Sequence, residues 1–169
     1  MQTNPVHIAS VSTTVLTSFP YHQNYIDLSR LECSILEAFV PALPKKIAFI
    51  GSGPLPLTSL CILDRYPGAS VHNIDRDMVA LDVSEELCTR LGYDGMTFEC
   101  EEVGSRESKT NWGEFEVVFL AALVGEDSGC KMDILSTLVG KLTAGCVVVA
   151  RSAQGLRSVL YPVSCSISF

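Results

Sequence analysis

From Ile26 to about Val40, apolar Leu28, Leu31, Ile35 and Phe39 recur at helical spacing and stop before Pro41 and Pro44, which predicts one amphipathic helix. Asn24 or Asp27 is placed to cap it, because either side chain can accept from unpaired first-turn N–H groups. Beyond the prolines the pattern changes. Lys45 to Ile50 reads as a short buried strand, and Gly51-Ser52-Gly53-Pro54-Leu55-Pro56 leads from it into a helix over Leu57 to Asp64. A turn at Tyr66-Pro67-Gly68-Ala69 precedes a strand from Ser70 to Ile74, which ends in Asp75-Arg76-Asp77, and a helix follows from about Val79 to Leu91. Thr97 to Cys100 is the third strand, with Glu101-Glu102 at its end, and the polar run Gly104 to Asn111 is a loop or short helix. Phe115 to Leu120, a helix over Asp127 to Leu142, and Cys146 to Ala150 complete the series.

Strands alternating with helical stretches form right-handed βαβ units in a mostly parallel sheet, here in the order 3-2-1-4-5. The expected architecture is a Rossmann-like α/β domain over 45–169, preceded by a segment, 1–44, that carries the one amphipathic helix. Met1 to Ser18 is polar and β-branched without clear periodicity. After Pro162 only Val163 to Phe169 remain, so of the two further strands that close related folds at most one fits. The fifth strand is therefore expected as an exposed edge, through which copies of the chain would associate.

A length of 169 residues suits one domain, and 47% hydrophobic residues suit a sheet covered on both faces. Twelve basic against nineteen acidic side chains, a formal charge of -7, argue against nucleic acid. Apolar runs such as Val117 to Val124 are strand-sized rather than membrane-sized, and Met1 to Pro20 lacks the basic start of a secretory leader. The seven cysteines are scattered without a CxxC pair, which favours reduced thiols in the cytoplasm over a disulfide framework or a metal site.

Gly51-Ser52-Gly53 follows a strand and opens a helix, where glycines let the backbone pass close to a ligand. The third glycine of the dinucleotide fingerprint is absent, and Pro54 and Pro56 remove amide donors that a pyrophosphate needs. A nucleoside without phosphate fits this loop better. Asp75 is the candidate acceptor for the ribose hydroxyls, with Asp77 its rival. Glu102, or Glu101, is placed to receive an adenine amino group. Leu120, Ala121 and Ala122 leave the fourth strand with small side chains that make room for a ligand and carbonyls that suit a cationic group.

Several of these segments together resemble nicotianamine synthase: Phe19-Pro20-Tyr21, Asn24-Tyr25 with Leu28-Ser29 and Leu31-Glu32, the run Ile47 to Ser59 around Gly51, His72 to Asp75, Val117 to Gly125, and Arg151-Ser152-Ala153 with Gly155 and Leu160-Tyr161-Pro162. The resemblance covers about Phe19 to Val163. It implies a methyltransferase-like fold and a small-molecule enzyme that moves the 3-amino-3-carboxypropyl group of S-adenosylmethionine, forming nicotianamine and methylthioadenosine with no metal required. It also implies a catalytic role for Glu32 and, through the same motif, a substrate contact for Tyr21. Tyr25 and Glu32 are two helical turns apart and share a helix face with Ser29, so a proton acceptor there can serve an amine nucleophile. Arg151, at the end of the fifth strand, suits a substrate carboxylate, with Arg157 and Tyr161 as supporting candidates. Gln154 departs from the family, which has His after Arg-Ser-Ala. The chain is expected to be shorter than the family at both ends, which keeps two other functions open: a conventional methyltransferase, and an inactive remnant acting as an interaction protein.

Overall fold

The protein is described by a computed structural model covering residues 18–105, 108–125, 128–151 and 166–168. Its elements are α1 (His22–Phe39), β1 (Lys46–Ile50), α2 (Leu57–Arg65), β2 (Ser70–Asp75), α3 (Met78–Leu91), β3 (Met96–Cys100), a 3-10 turn (Trp112–Glu114), β4 (Val117–Leu120), α4 (Ser128–Val139), β5 (Val147–Ala150) and β6 (Ser166–Ser168). The sheet order is β3-β2-β1-β4-β5-β6, parallel throughout except for the antiparallel pair β5–β6. The five parallel strands stand in the expected order.

Register places the carboxyl ends of the strands on one edge. Ile50 pairs with Ile74 and Leu120, Leu120 pairs with Ala150, and Asp75 pairs with Cys100. The central strands are apolar because both faces are covered. Alternate residues divide between two cores: Ile47, Phe49, Val71, Val117, Phe119 and Val149 pack with Cys33 and Leu36 of α1 and Ile62 and Leu63 of α2. Ala48, Ile50, Ile74, Val118, Leu120 and Val148 pack on the other side with Trp112, Phe115 and Leu138.

Three expectations are corrected. The stripe that marks α1 as amphipathic is not its buried face: Leu31 and Phe39 are 58% and 46% exposed, whereas Ser29, Glu32, Cys33 and Leu36 are buried. Cys33 and Leu36 meet the apolar sheet face and Glu32 meets an arginine at the tip of β5, so tertiary partners choose the face. The helix also begins at His22 with no side-chain cap, which leaves Asn24 and Asp27 inside it; Asp27 accepts from Gln23 instead. Finally, β5 is not the sheet edge, because β6 pairs with it along 148–150 and satisfies backbone groups that association of two copies was expected to use. The expected helix start at Asp127, and Gln154, Arg157 and Tyr161, lie outside the described residues.

Candidate ligand cleft at the strand ends

The loop after β1 crosses the tip of β2, with the amide of Gly51 donating to the Ile74 carbonyl at 2.7 Å. Gly51 has φ +80°, a left-handed conformation that side chains resist, and a Cβ there would lie 2.4 Å from Val124 Cγ2. The loops after β1 and β4 therefore touch. At Gly53 the amide donates to Asp75 Oδ2 at 2.8 Å, while Asp75 Oδ1 accepts from the Asp77 amide at 3.0 Å. The loop thus spends a donor on a carboxylate, and Pro54 and Pro56 have none to offer.

Two hollows open at this edge, about 500 Å³ and 480 Å³, separated by Gly51, Ala121 and Leu123, which line both. Each is of small-ligand size. The second holds Gly53, Asp75, Glu101 and Glu102. Asp77 is not among its walls; its carboxylate caps α3 by accepting from the amides of Val79 and Ala80 at 2.9 and 3.3 Å. The two glutamates at the end of β3 also divide. Glu101 is buried and accepts from Ser108 Oγ, the amides of Lys109 and Thr110, and Thr110 Oγ1, so it braces a loop, whereas exposed Glu102 is the carboxylate open to a ligand.

Burial pushes the Glu101 carboxyl up, but the hydrogen bonds from Ser108, Thr110 and Lys109 together outweigh it and hold the group below the ordinary glutamate range. A depressed folded-state pKa gives stability that is complete above the unfolded value, about 4.3, and is lost as pH falls through the folded one. Trp112, the only tryptophan, donates from Nε1 to Ser108 Oγ at 2.6 Å. Its fluorescence should therefore report loosening of this loop below pH about 4, and in Glu101→Gln the same change should already be present at neutral pH; an identical acid profile in both proteins would refute the bracing role.

The first hollow is lined by Tyr21, Tyr25, Ser52, Thr58, Ala122 and Arg151, among others. Ser52 is buried and its hydroxyl has no hydrogen-bond partner within the described residues, so its donor is available to a ligand. Glu32 and Arg151, expected as separate groups, form one ion pair: Nε donates to Oε1 at 2.7 Å and Nη2 to Oε2 at 2.6 Å. Nη2 also donates to Thr58 Oγ1 at 3.1 Å, and the guanidinium carbon stands 5.4 Å from the Phe49 ring centroid. Arg151 faces the hollow, with Glu32 behind it at 2% exposure.

Two expectations about the β4 exit are corrected. Leu120 does not reach the cleft; its side chain is wholly buried in the second core, and its carbonyl accepts from the Arg151 amide. The carbonyls of Ala121 and Ala122 do meet a cation, but it belongs to the chain: Lys131 Nζ donates to them at 2.9 and 2.7 Å. Lys131 and Thr58 went unforeseen, because no local spacing singles out a helix lysine or threonine whose partners lie on other elements. Among the described residues, no His/Cys/Asp/Glu group is arranged to hold a metal, and no helix is long and apolar enough to cross a membrane. The described cysteines are all free, and burial pushes the thiols of Cys88 and Cys146 up to about 11.

The family described as nicotianamine synthase protein matches residues 6–167. The chain is 39% identical to nicotianamine synthase 2 of Arabidopsis thaliana and 41% identical to the nicotianamine synthase of Solanum lycopersicum, each over 148 residues, 86% of this chain and 46% of the relative. It thus spans less than half the length of these relatives. Among solved structures it is similar to a mutant of MtNAS in complex with S-adenosylmethionine, with a TM-score of 0.70, 23% identity and coverage of 95% of this chain and 60% of that one. The plantazolicin methyltransferase BpumL in complex with SAH is similar at a TM-score of 0.60 and 16% identity, covering 93% of this chain and 66% of that one. These likenesses show the S-adenosylmethionine-dependent methyltransferase fold.

Proposed function

Because the chain belongs to the nicotianamine synthase family, we propose that it binds S-adenosylmethionine across the two hollows and transfers the 3-amino-3-carboxypropyl group to an amine, forming nicotianamine and methylthioadenosine. The observation that carries this reading is the two-part cleft itself. One half presents Asp75 and Glu102, acceptors for ribose hydroxyls and an adenine amino group; the other presents Arg151, a guanidinium suited to a carboxylate, beside Tyr21 and Tyr25. A nucleoside joined to an amino acid has this division of polarity.

In the transfer, the nitrogen lone pair of the acceptor forms a bond to the carbon next to the sulfonium. The carbon–sulfur bond breaks, its electron pair stays on sulfur, and methylthioadenosine leaves as a neutral thioether. The attacking nitrogen must shed a proton. Tyr21 and Tyr25 line the hollow where it is shed, and Glu32 stands behind Arg151. A substrate carboxylate arriving at Arg151 competes with Glu32 for the same guanidinium, so binding on one side of the arginine loosens a proton acceptor on the other.

Mass spectrometry of folded protein incubated with S-adenosylmethionine alone tests the assignment. Methylthioadenosine together with nicotianamine is the expected outcome. S-adenosylhomocysteine would instead mark methyl transfer, and the absence of any enzyme-dependent product would overturn the activity for this chain.

A further inference from the structure

The side chain of Lys131, in the first turns of α4, runs to the end of the sheet, where Nζ donates to the carbonyls of Ala121 at 2.9 Å, Ala122 at 2.7 Å and Arg151 at 2.6 Å. An ammonium has three donors, and all three are engaged. The Arg151 amide donates to the Leu120 carbonyl as a backbone rung between the two strand tips; next to it, the lysine ties together the carbonyls of Ala121, Ala122 and Arg151. The loop between β4 and α4 is pressed against the same residue, since a Cβ on Gly125, at φ +83°, would meet the Lys131 amide nitrogen at 2.9 Å and its Cα at 3.1 Å. Among the described residues no carboxylate pairs with the ammonium, and burial lowers its pKa. Its partners are backbone.

What these carbonyls belong to gives the contact its meaning. Ala121 is part of the wall shared by both hollows, Ala122 lines the first, and Arg151 carries the guanidinium that faces it. Without the ammonium the oxygens of Ala122 and Arg151 would lose this donor, Ala121 would keep only the Val124 amide at 3.3 Å, and nothing would tie the two strand tips together at this point. We propose that Lys131 is a positioning residue: by fastening the tips of β4 and β5, its ammonium holds the wall between the hollows and the Arg151 guanidinium in the arrangement that S-adenosylmethionine requires. This rests on the reading of the cleft as the donor site.

Calorimetric titration with S-adenosylmethionine of the wild-type chain, Lys131→Met and Lys131→Ala separates the two ideas. The expected result is a tenfold or greater loss of affinity in both variants, a ratio equivalent to about 1.4 kcal/mol, with affinity restored to Lys131→Ala by n-propylammonium but not by n-propanol. Wild-type affinity in both variants, or equal restoration by the alcohol, would overturn the positioning role while leaving the donor site intact. A wild-type chain that binds no S-adenosylmethionine would remove the donor site, and this role with it. Should the variants not fold, wild-type protein labelled with 15N-lysine decides the matter: one slowly exchanging ammonium resonance that shifts on adding S-adenosylmethionine supports the clamp, and its absence or indifference to the ligand overturns it.

Discussion

Glu32→Ala should destabilise the fold by about 3–5 kcal/mol, measured by urea unfolding, because it strands a guanidinium that is 5% exposed. Thr58 Oγ1 and the Phe49 ring would remain as its neighbours, and neither supplies a negative charge. The opposite expectation holds for the pair removed together. Glu32→Met with Arg151→Met eliminates both desolvation costs and replaces them with apolar volume, so the double variant should recover most of the loss while removing the guanidinium proposed to hold a substrate carboxylate. Such recovery without donor binding would show that the pair is kept for function, since stability alone does not require it. If Glu32→Ala unfolds within about 0.5 kcal/mol of wild type, the ion pair is not the buried contact described here.

The second large effect is expected at Gly51. Gly51→Ala places a Cβ 2.4 Å from Val124 Cγ2 and 3.0 Å from Ala121 Cβ, at a φ of +80°. Left-handed backbone alone costs an alanine about 1–2 kcal/mol. The collision adds displacement of the wall between the hollows, so affinity for S-adenosylmethionine should fall by roughly a hundredfold, about 2.7 kcal/mol. Gly53→Ala is the matched control: its φ is +62°, yet a Cβ there meets nothing within 4 Å. Because Gly53 also lines the second hollow, the comparison is of melting temperature: Gly53→Ala should lower it through backbone strain alone, and by less than Gly51→Ala, where the collision adds to the strain. Equal losses in the two variants would mean that backbone strain, rather than contact between the loops, accounts for the requirement for glycine at 51.

How far the site is legible in the sequence differs from residue to residue. Gly51 and Asp75 stand out because each stands at the end of a predicted strand, and a residue at the end of a parallel strand has only one edge of the sheet to face. Asp77 and Glu101 carry the same charge within two residues of the better candidates, and sequence alone leaves them as rivals. The structure separates them by occupation: Asp77 caps α3 and Glu101 braces 108–110, which leaves Asp75 and Glu102 at the cleft. Leu28, Leu31, Ile35 and Phe39 mislead for a related reason. Periodicity identifies a helix, but the face that is buried depends on what lies opposite, and here that includes an arginine seeking a carboxylate.

By itself, then, the sequence determined the alternation of strands and helices, the parallel order 3-2-1-4-5 and the loop at Gly51, because these follow from apolar runs, chain breakers and the handedness of βαβ crossovers over a few tens of residues. Only the tertiary structure decided that Glu32 and Arg151, 119 positions apart, share one ion pair, that Lys131 takes the carbonyls of Ala121 and Ala122, and that a sixth strand covers β5. The reason is physical. A buried charge or unpaired carbonyl must find a partner wherever folding brings one within about 3 Å, and that distance carries no trace in local spacing.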